Sequence, residues 1–366
     1  MLIIPHTVAN RQAYSAKKFT VSFIKIAPTR KRGQKNLIPA QLAAGSACRR
    51  KPSSPHRAGC SQPLRRRANP ARGPPGDAGT DKHVVAGRKA EHEKFAGAQD
   101  TYTVEALMHD GKALQSATSH FFGSGFPEAF GIQYIDKDNQ LKNVYETSWG
   151  LSTRSIGALI MVHGDDDGLV IPPHLAPVEC RVIPIAQHKE GVLEKANELL
   201  DELKKAGYRV KIDDSEKSPG WKFSEQEILG IPTRIEIGPK DIENNQVVVV
   251  RRDTREKIVV SLDEITTKLR EILETIQQDM YNKAEEFLKA HIDTAVTMDE
   301  MKEKFAANRG FVKACWCGDP VCEGEVKYET GGAATRCLIE DEPMISDKCI
   351  YCGKPAKHMA YWGKSY

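Results

Sequence analysis

Residues 147–169 read TSWGLSTRSIGALIMVHGDDDGL. Ser148 and Trp149 close a strand-like run, NVYETSW, and Gly150 suits a tight turn where a Cβ would clash. Ser152 or Thr153 can cap a helix that follows. Ile156, Ala158, Leu159 and Ile160 are the residues expected to bury that helix, and Gly164 to stop it. Arg154 then stands at the helix mouth, where a guanidinium can stack on a flat base or grip a phosphate. The plainer reading is an arginine on a solvated helix start, and Arg154 alone does not separate the two.

The chain has 366 residues, enough for two or three domains, and a hydrophobic content of 40% supports real cores. No apolar run approaches the ~20 residues of a membrane span. The formal net charge of +4 conceals a division. Residues 1–90 carry 19 Lys and Arg against only Asp77 and Asp81, whereas the rest carries 34 basic and 47 acidic side chains. An acidic remainder argues against indiscriminate nucleic-acid binding and for a local patch. Of nine cysteines, six lie between Cys315 and Cys352 in a Lys- and Glu-rich setting, which favours a reduced compartment and a metal over disulfides.

Residues 1–90, rich in Pro, Gly, Arg and Ser, read as disordered, with only residues 20–27 (TVSFIKIA) able to form a short strand. A basic arm for RNA, an Arg-rich transit segment and a passive tail all fit that composition. From residue 91 strand-like pieces alternate with an Asp110-Gly111 turn. Residues 126–134 and 143–149 read as further strands about a turn at 136–139, giving antiparallel sheet. A linker at 172–177 precedes a switch to alternating strand and helix. Strands are expected at 180–185, 208–212, 233–237 and 246–251, with helices at 191–206 and 223–229, in an α/β layer of mainly parallel neighbours. A long helix is expected over 262–291 and another over 298–308. The domains expected are 1–90, 91–175, 176–278 and 279–366, in an α/β chain that is α+β overall.

Three further stretches carry chemistry. The strand at 115–120, QSATSH, sends Thr118 and His120 to one face and Gln115 and Ser119 to the other, unless a bulge intervenes. Cys317-x4-Cys322 and Cys349-x2-Cys352 suit a tetrahedral Zn²⁺, with Gly318 and Gly353 permitting tight turns behind a ligand. Cys315 and Cys337 compete with them on spacing alone. Residues 219–241, PGWKFSEQEILGIPTRIEIGPKD, set Lys222, Arg234 and Lys240 near Glu227, Glu236 and Asp241. Such a set can hydrogen-bond base edges in single-stranded RNA, and is otherwise a solvated face.

The 147–169 stretch resembles the third signature motif of class II aminoacyl-tRNA synthetases, in the prolyl-tRNA synthetase version of archaeal and eukaryotic-like type. KALQ-x-x-TSH-x-x-G resembles a strand of the same family, and the likeness runs from about Glu91 to Tyr366. It implies a partial antiparallel-sheet catalytic domain, an α/β anticodon-binding domain and a small C-terminal zinc-binding α/β domain. It implies ATP-dependent activation of proline and transfer to tRNA(Pro), in the cytoplasm, without a membrane. Gln115, Thr118, Ser152 and Arg154 would face ATP and its Mg²⁺, with Arg154 stabilising the triphosphate, and His120 would line the proline pocket. Residues 219–241 resemble the anticodon-reading region, and the choice of Cys317 with Cys322, Cys349 and Cys352 follows the family's zinc domain. AYWGKSY resembles the family's C-terminus, so Tyr366 is expected to be a native end. Ser116 and Ala117 stand where the family has Gly-type residues.

The departure lies at the front. The family's homodimer motif, its Arg–Glu pair for the α-phosphate and amino acid, and its Thr-x-Glu loop have no counterpart in residues 1–90, which contain no Glu. The isolated chain is therefore expected to be an N-terminally truncated form with impaired proline activation. The alternative expectation is a non-catalytic tRNA-binding module, and a third is a reading frame joined to foreign upstream sequence.

Overall fold

The computed structural model describes residues 2–4, 84–307 and 310–366. The first part of the chain builds β1 (Leu2–Ile4), β2 (Val85–Arg88), β3 (Asp100–Leu107) and β4 (Ala113–Gly123). Helix α1 (Gly125–Ala129), hairpin strands β5 (Gln133–Ile135) and β6 (Leu141–Asn143), β7 (Tyr145–Leu151) and helix α2 (Arg154–His163) follow. The middle part holds β8 (Cys180–Pro184), α3 (Val192–Lys205), β9 (Val210–Ile212), α4 (Pro219–Ile228), β10 (Thr233–Ile237), α5 (Pro239–Glu243), β11 (Gln246–Arg251) and β12 (Lys257–Ser261). The last part holds α6 (Ile265–Ala290), β13 (Ile292–Thr294), α7 (Met298–Ala307), β14 (Phe311–Trp316), α8 (Pro320–Thr330), β15 (Ala334–Ile339) and β16 (His358–Gly363).

Two main sheets result. The middle strands form a five-stranded sheet in the order β12-β11-β10-β8-β9, parallel across β10, β8 and β9 and antiparallel at β11 and β12. Parallel neighbours need helical crossovers, and α3 and α4 supply them. Ala196, Leu199, Leu200 and Leu203 of α3 and Ile265, Leu269, Leu273 and Ile276 of α6 bury against Val182, Ile235, Val247 and Val249 in one core.

All other strands except the β5–β6 hairpin join one nine-stranded sheet, in the order β1-β7-β4-β3-β2-β15-β16-β14-β13. It is antiparallel apart from β13 beside β14. Strands from 91–175 and from 279–366, expected in separate domains, thus share one sheet. The join is the pairing of Leu338 with Arg88. Gly87 allows the approach, because a Cβ there would lie 2.4 Å from the Leu338 carbonyl oxygen. Tyr366 ties the C-terminus to the same sheet, its hydroxyl donating to Asp110 Oδ1 at 2.8 Å.

Several expectations need correction. Residues 85–90 lie inside the stretch read as disordered, yet β2 pairs with β3, and Lys89 and Ala90 are buried. The strand expected at 126–134 is α1 followed by β5, because Ser124 starts a helical turn at once, with Glu128 N–H donating to its carbonyl at 2.8 Å. Gly150 does not turn; β7 runs through it to Leu151, and Gly150 pairs with Thr118. Ile156 and Ile160 are exposed, because α2 lays Ala158 and Val162 on Ala106, Met108 and Leu114 and turns the isoleucines away. The strand expected at 20–27 lies outside the described residues. Among the described residues no helix is long and apolar enough to cross a membrane.

Candidate nucleotide face, thiolate cluster and α/β surface

The face of the large sheet at β3, β4 and β7 is set by one irregularity. Thr101 pairs with His120, Thr103 with Thr118 and Val104 with Ala117, but Glu105 pairs with Gln115. Ser116 is therefore the extra residue of a β-bulge, and it shifts the alternation by one. Gln115 joins Thr118 and His120 on one face instead of lying opposite them. The Gln115 amide confirms the placement by donating from Nε2 to Thr103 Oγ1 at 3.3 Å. Ser116 is held from both sides: its hydroxyl donates to the Leu114 carbonyl at 3.3 Å, and Ser155 of α2 donates to its own carbonyl at 3.4 Å.

Gln115, Thr118 and His120 are half-buried, whereas Ser152 and Arg154 are exposed. Gly150 opposite Thr118 leaves this face uncovered, and a Cβ there would lie 3.6 Å from Thr118 Oγ1. After Leu151 the chain enters α2, with the Arg154 N–H donating to Ser152 Oγ at 3.3 Å; Thr153 makes no capping bond. His120 Nδ1 lies 3.0 Å from Thr101 Oγ1, and its ring stands among Phe95 and Phe122. Burial holds the His120 imidazole below its ordinary pKa. Beside this face Glu105 is fully buried and accepts from Thr103 Oγ1 at 2.9 Å. Arg336 of β15 reaches the same carboxylate at 3.1 Å and Lys89 at 3.5 Å. Thr101, Thr103 and Glu105 were legible only as polar residues at two-residue spacing in TYTVE.

Cys317, Cys322, Cys349 and Cys352 come together, with all four sulfurs within 4.8 Å of one another. The described cysteines are free. Cys317 Sγ lies 3.6 Å from Cys322 Sγ and 3.8 Å from Cys352 Sγ. A tetrahedron with Zn–S bonds of about 2.3 Å has edges of about 3.8 Å, so the donor set fits that ion. Asp319 caps α8 and Pro320 starts it, which puts Cys322 in its first turn, where the helix dipole favours a thiolate. The backbone N–H of Lys354 lowers Cys352 to about 7, while burial raises Cys317 and Cys322. Gly318 and Gly353 both have positive φ, as the turns behind the ligands require. Cys315 and Cys337 are buried elsewhere, in apolar clusters.

The charged set of the five-stranded sheet is less open than its sequence suggests. Lys222 is buried, with Nζ donating to Asp213 O at 2.9 Å and Gln187 Oε1 at 3.1 Å. Arg234 is buried too, donating to Glu227 at 2.9 Å and Glu236 at 2.8 Å beneath the ring of Phe223. These two cations are engaged inside the protein because distant residues, invisible in a local motif, meet them there. Asp241 accepts from Gly238 N–H at 2.9 Å and so caps α5, while Lys240 is exposed.

Comparison with known proteins agrees with these parts. Residues 179–272 match the family described as Anticodon binding domain, and residues 298–366 match Prolyl-tRNA synthetase, C-terminal. The first match falls on the five-stranded sheet and its helices, and the second on the C-terminal strands that carry the thiolate cluster. The chain is 61% identical over 283 residues to the Proline--tRNA ligase of Lachnospira eligens, covering 77% of this chain and 59% of that protein. It is 61% identical over 284 residues to that of Agathobacter rectalis and 58% identical over 283 to that of Clostridium novyi, each with the same coverage of 77% and 59%. Over this C-terminal part the chain is a homologue of bacterial proline–tRNA ligases. It spans about three-fifths of the length of these relatives.

Proposed function

We propose that the chain serves proline–tRNA ligation, ATP-dependent activation of proline and transfer to tRNA(Pro), with activation impaired because residues 1–90 hold no Glu to grip the amino acid. The observation that carries this reading is the Ser116 bulge, which gathers Gln115, Thr118 and His120 on one face opposite Gly150. Gln115, Thr118, Ser152 and Arg154 take ATP with its Mg²⁺. Arg154, exposed at the start of α2, supplies positive charge to the triphosphate. His120, flanked by aromatic rings, takes the apolar proline ring. Cys317, Cys322, Cys349 and Cys352 hold a structural Zn²⁺, whose four protein ligands leave no open position for catalysis. Lys222, Glu227, Arg234, Glu236, Lys240 and Asp241 form the anticodon surface, with Lys222 and Arg234 shaping it from within and Lys240 reaching outward. The test is proline-dependent ATP–pyrophosphate exchange by the full chain. Exchange that Arg154→Ala abolishes supports the reading; exchange unaffected by that change overturns it.

A second reading, a tRNA-binding module without ligation, is favoured by the five-stranded sheet, whose core is complete without the nucleotide face. It predicts binding of tRNA(Pro) that depends on the two anticodon guanines, in the absence of exchange. Equal affinity for tRNA lacking those guanines would sink it.

A further inference from the structure

Between β2 and β3 the chain makes one 3-10 turn, Glu91–Glu93, and three potential ligands converge where it meets α8. One donor atom from each of His92, Glu93 and Glu323 lies within 4.8 Å of the other two. Glu323 is only 5% exposed, and its Oε1 is held by Thr335, whose backbone N–H donates at 2.8 Å and whose hydroxyl donates at 2.6 Å. The other oxygen, Oε2, is buried and accepts no hydrogen bond, although His92 Nε2 stands 2.5 Å from it. The imidazole nitrogen is thus near the carboxylate but not aimed along the line that a hydrogen bond needs. Ligands of a shared ion are set in this way, because each donor points at the ion and not at its neighbour. Lys89 fixes Glu93 through Oε2 at 2.9 Å, and the second Glu93 oxygen has no bond among the described residues. The His92 ring stands edge-on to Trp316, with centroids 6.0 Å apart. A buried carboxylate oxygen without a partner costs free energy, and a bound cation removes that cost.

We infer that His92, Glu93 and Glu323 form a divalent-cation site, separate from the four thiolates and suited to Mn²⁺. Cys322 and Glu323 are neighbours on α8, so their side chains leave the helix about 100° apart and serve different clusters. One imidazole and two carboxylates make a nitrogen-and-oxygen donor set, which suits Mn²⁺, whereas thiolates select Zn²⁺. Three protein donors leave the remaining positions of an octahedral ion to water. Glu323 is the anchor, since Thr335 of β15 fixes its carboxylate from behind. His92 and Glu93 come from the turn ahead of β3, so the ion fastens that turn to the C-terminal module.

Titration of Mn²⁺ into the zinc-loaded full chain, without nucleotide, tests this, with the free-ion electron paramagnetic resonance signal as readout. One bound Mn²⁺ per chain is expected, with the zinc retained and the unfolding temperature raised. His92 is exposed, so His92→Ala should fold, and it is expected to weaken Mn²⁺ about tenfold or more while leaving the zinc content unchanged. Glu93→Gln, which keeps the side chain's shape, should weaken Mn²⁺ to a similar degree and repeats the test if the alanine variant does not fold. A wild-type chain that leaves the free-ion signal unaltered overturns the inference. Parental Mn²⁺ affinity in a folded His92→Ala or Glu93→Gln variant overturns it too, as does Mn²⁺ that binds only by displacing zinc.

Discussion

Arg252 sets both terminal nitrogens of its guanidinium on the two carboxylate oxygens of Asp165, at 2.7 and 2.6 Å. The arginine side chain is wholly buried, and its Nε donates to the carbonyl of Glu227 at 3.0 Å. Asp165 follows α2, and Arg252 follows β11, so this fork fastens the large sheet's helix to the five-stranded sheet. The neighbouring seam is close: a Cβ on Gly168 would lie 2.5 Å from Ile228 Cα.

Asp165→Asn is expected to lower stability by about 1–3 kcal/mol, because it leaves a buried guanidinium without its counter-charge while Asp165 itself keeps some solvent. The Arg252 hydrogen bonds hold the Asp165 carboxyl below its usual pKa. Its contribution is therefore complete above the ordinary carboxylate range and is lost as pH falls through the lower folded value. Urea unfolding along an acid series should show a shallower loss in the asparagine variant than in the parent. Equal slopes would show that the fork contributes no pH-dependent stability.

Metal analysis of the purified chain is expected to find one zinc. Cys322→Ser or a strong chelator should remove it and lower the unfolding temperature of the C-terminal module, since such sites supply on the order of 10 kcal/mol to small folds. Cys337→Ser, outside the cluster, should keep the metal.

Gly150→Ala is expected to fold normally, because its Cβ meets Thr118 Oγ1 at 3.6 Å, an ordinary contact. Gly150→Leu should also fold, at an exposed strand position, yet weaken ATP by about tenfold or more by filling the face. Nucleotide titration beside thermal unfolding separates the two effects, and unaltered binding by the leucine variant would mean that ATP sits elsewhere.

His120 carries its own pH signature. Its pKa is lowered by burial from an ordinary 6.5, so the folded chain holds it neutral where the unfolded chain is protonated. The resulting stability is complete above about pH 6.5 and is lost as pH falls through the lowered value. His120→Gln should remove that part of the stability profile between about pH 5 and pH 7. It should also remove any stabilisation by added proline; a proline-induced shift that survives the change would move the amino-acid site elsewhere.

Local patterns made much of this molecule legible. β10 and β11 follow from β-branched runs bounded by turn residues, and α3 from leucines at helical spacing closed by Gly207. Arg154 was found by the same logic at the first residue of α2. What escaped depends on partners distant in sequence. The Ser116 bulge is a matter of register against β3, and nothing in QSATSH alone announces it. β2 is hidden because VAGRK continues the basic composition before it, and only pairing with β3 and β15 makes it a strand. Lys222 looks like a surface cation until Gln187 and Asp213 close over it.

The pairing of Arg88 with Leu338 spans 250 positions of chain. A ribosome adding roughly 5–20 residues per second would complete β2 and β3 many seconds before β15 exists. Through that interval the β2 edge stands bare in the nascent protein, open to wrong partners. The closure of the large sheet is thus a late event of high contact order, intrinsically slow. Cells making this chain depend on the last thirty or so residues to seal it, and the interval before they emerge is when chaperone protection matters most.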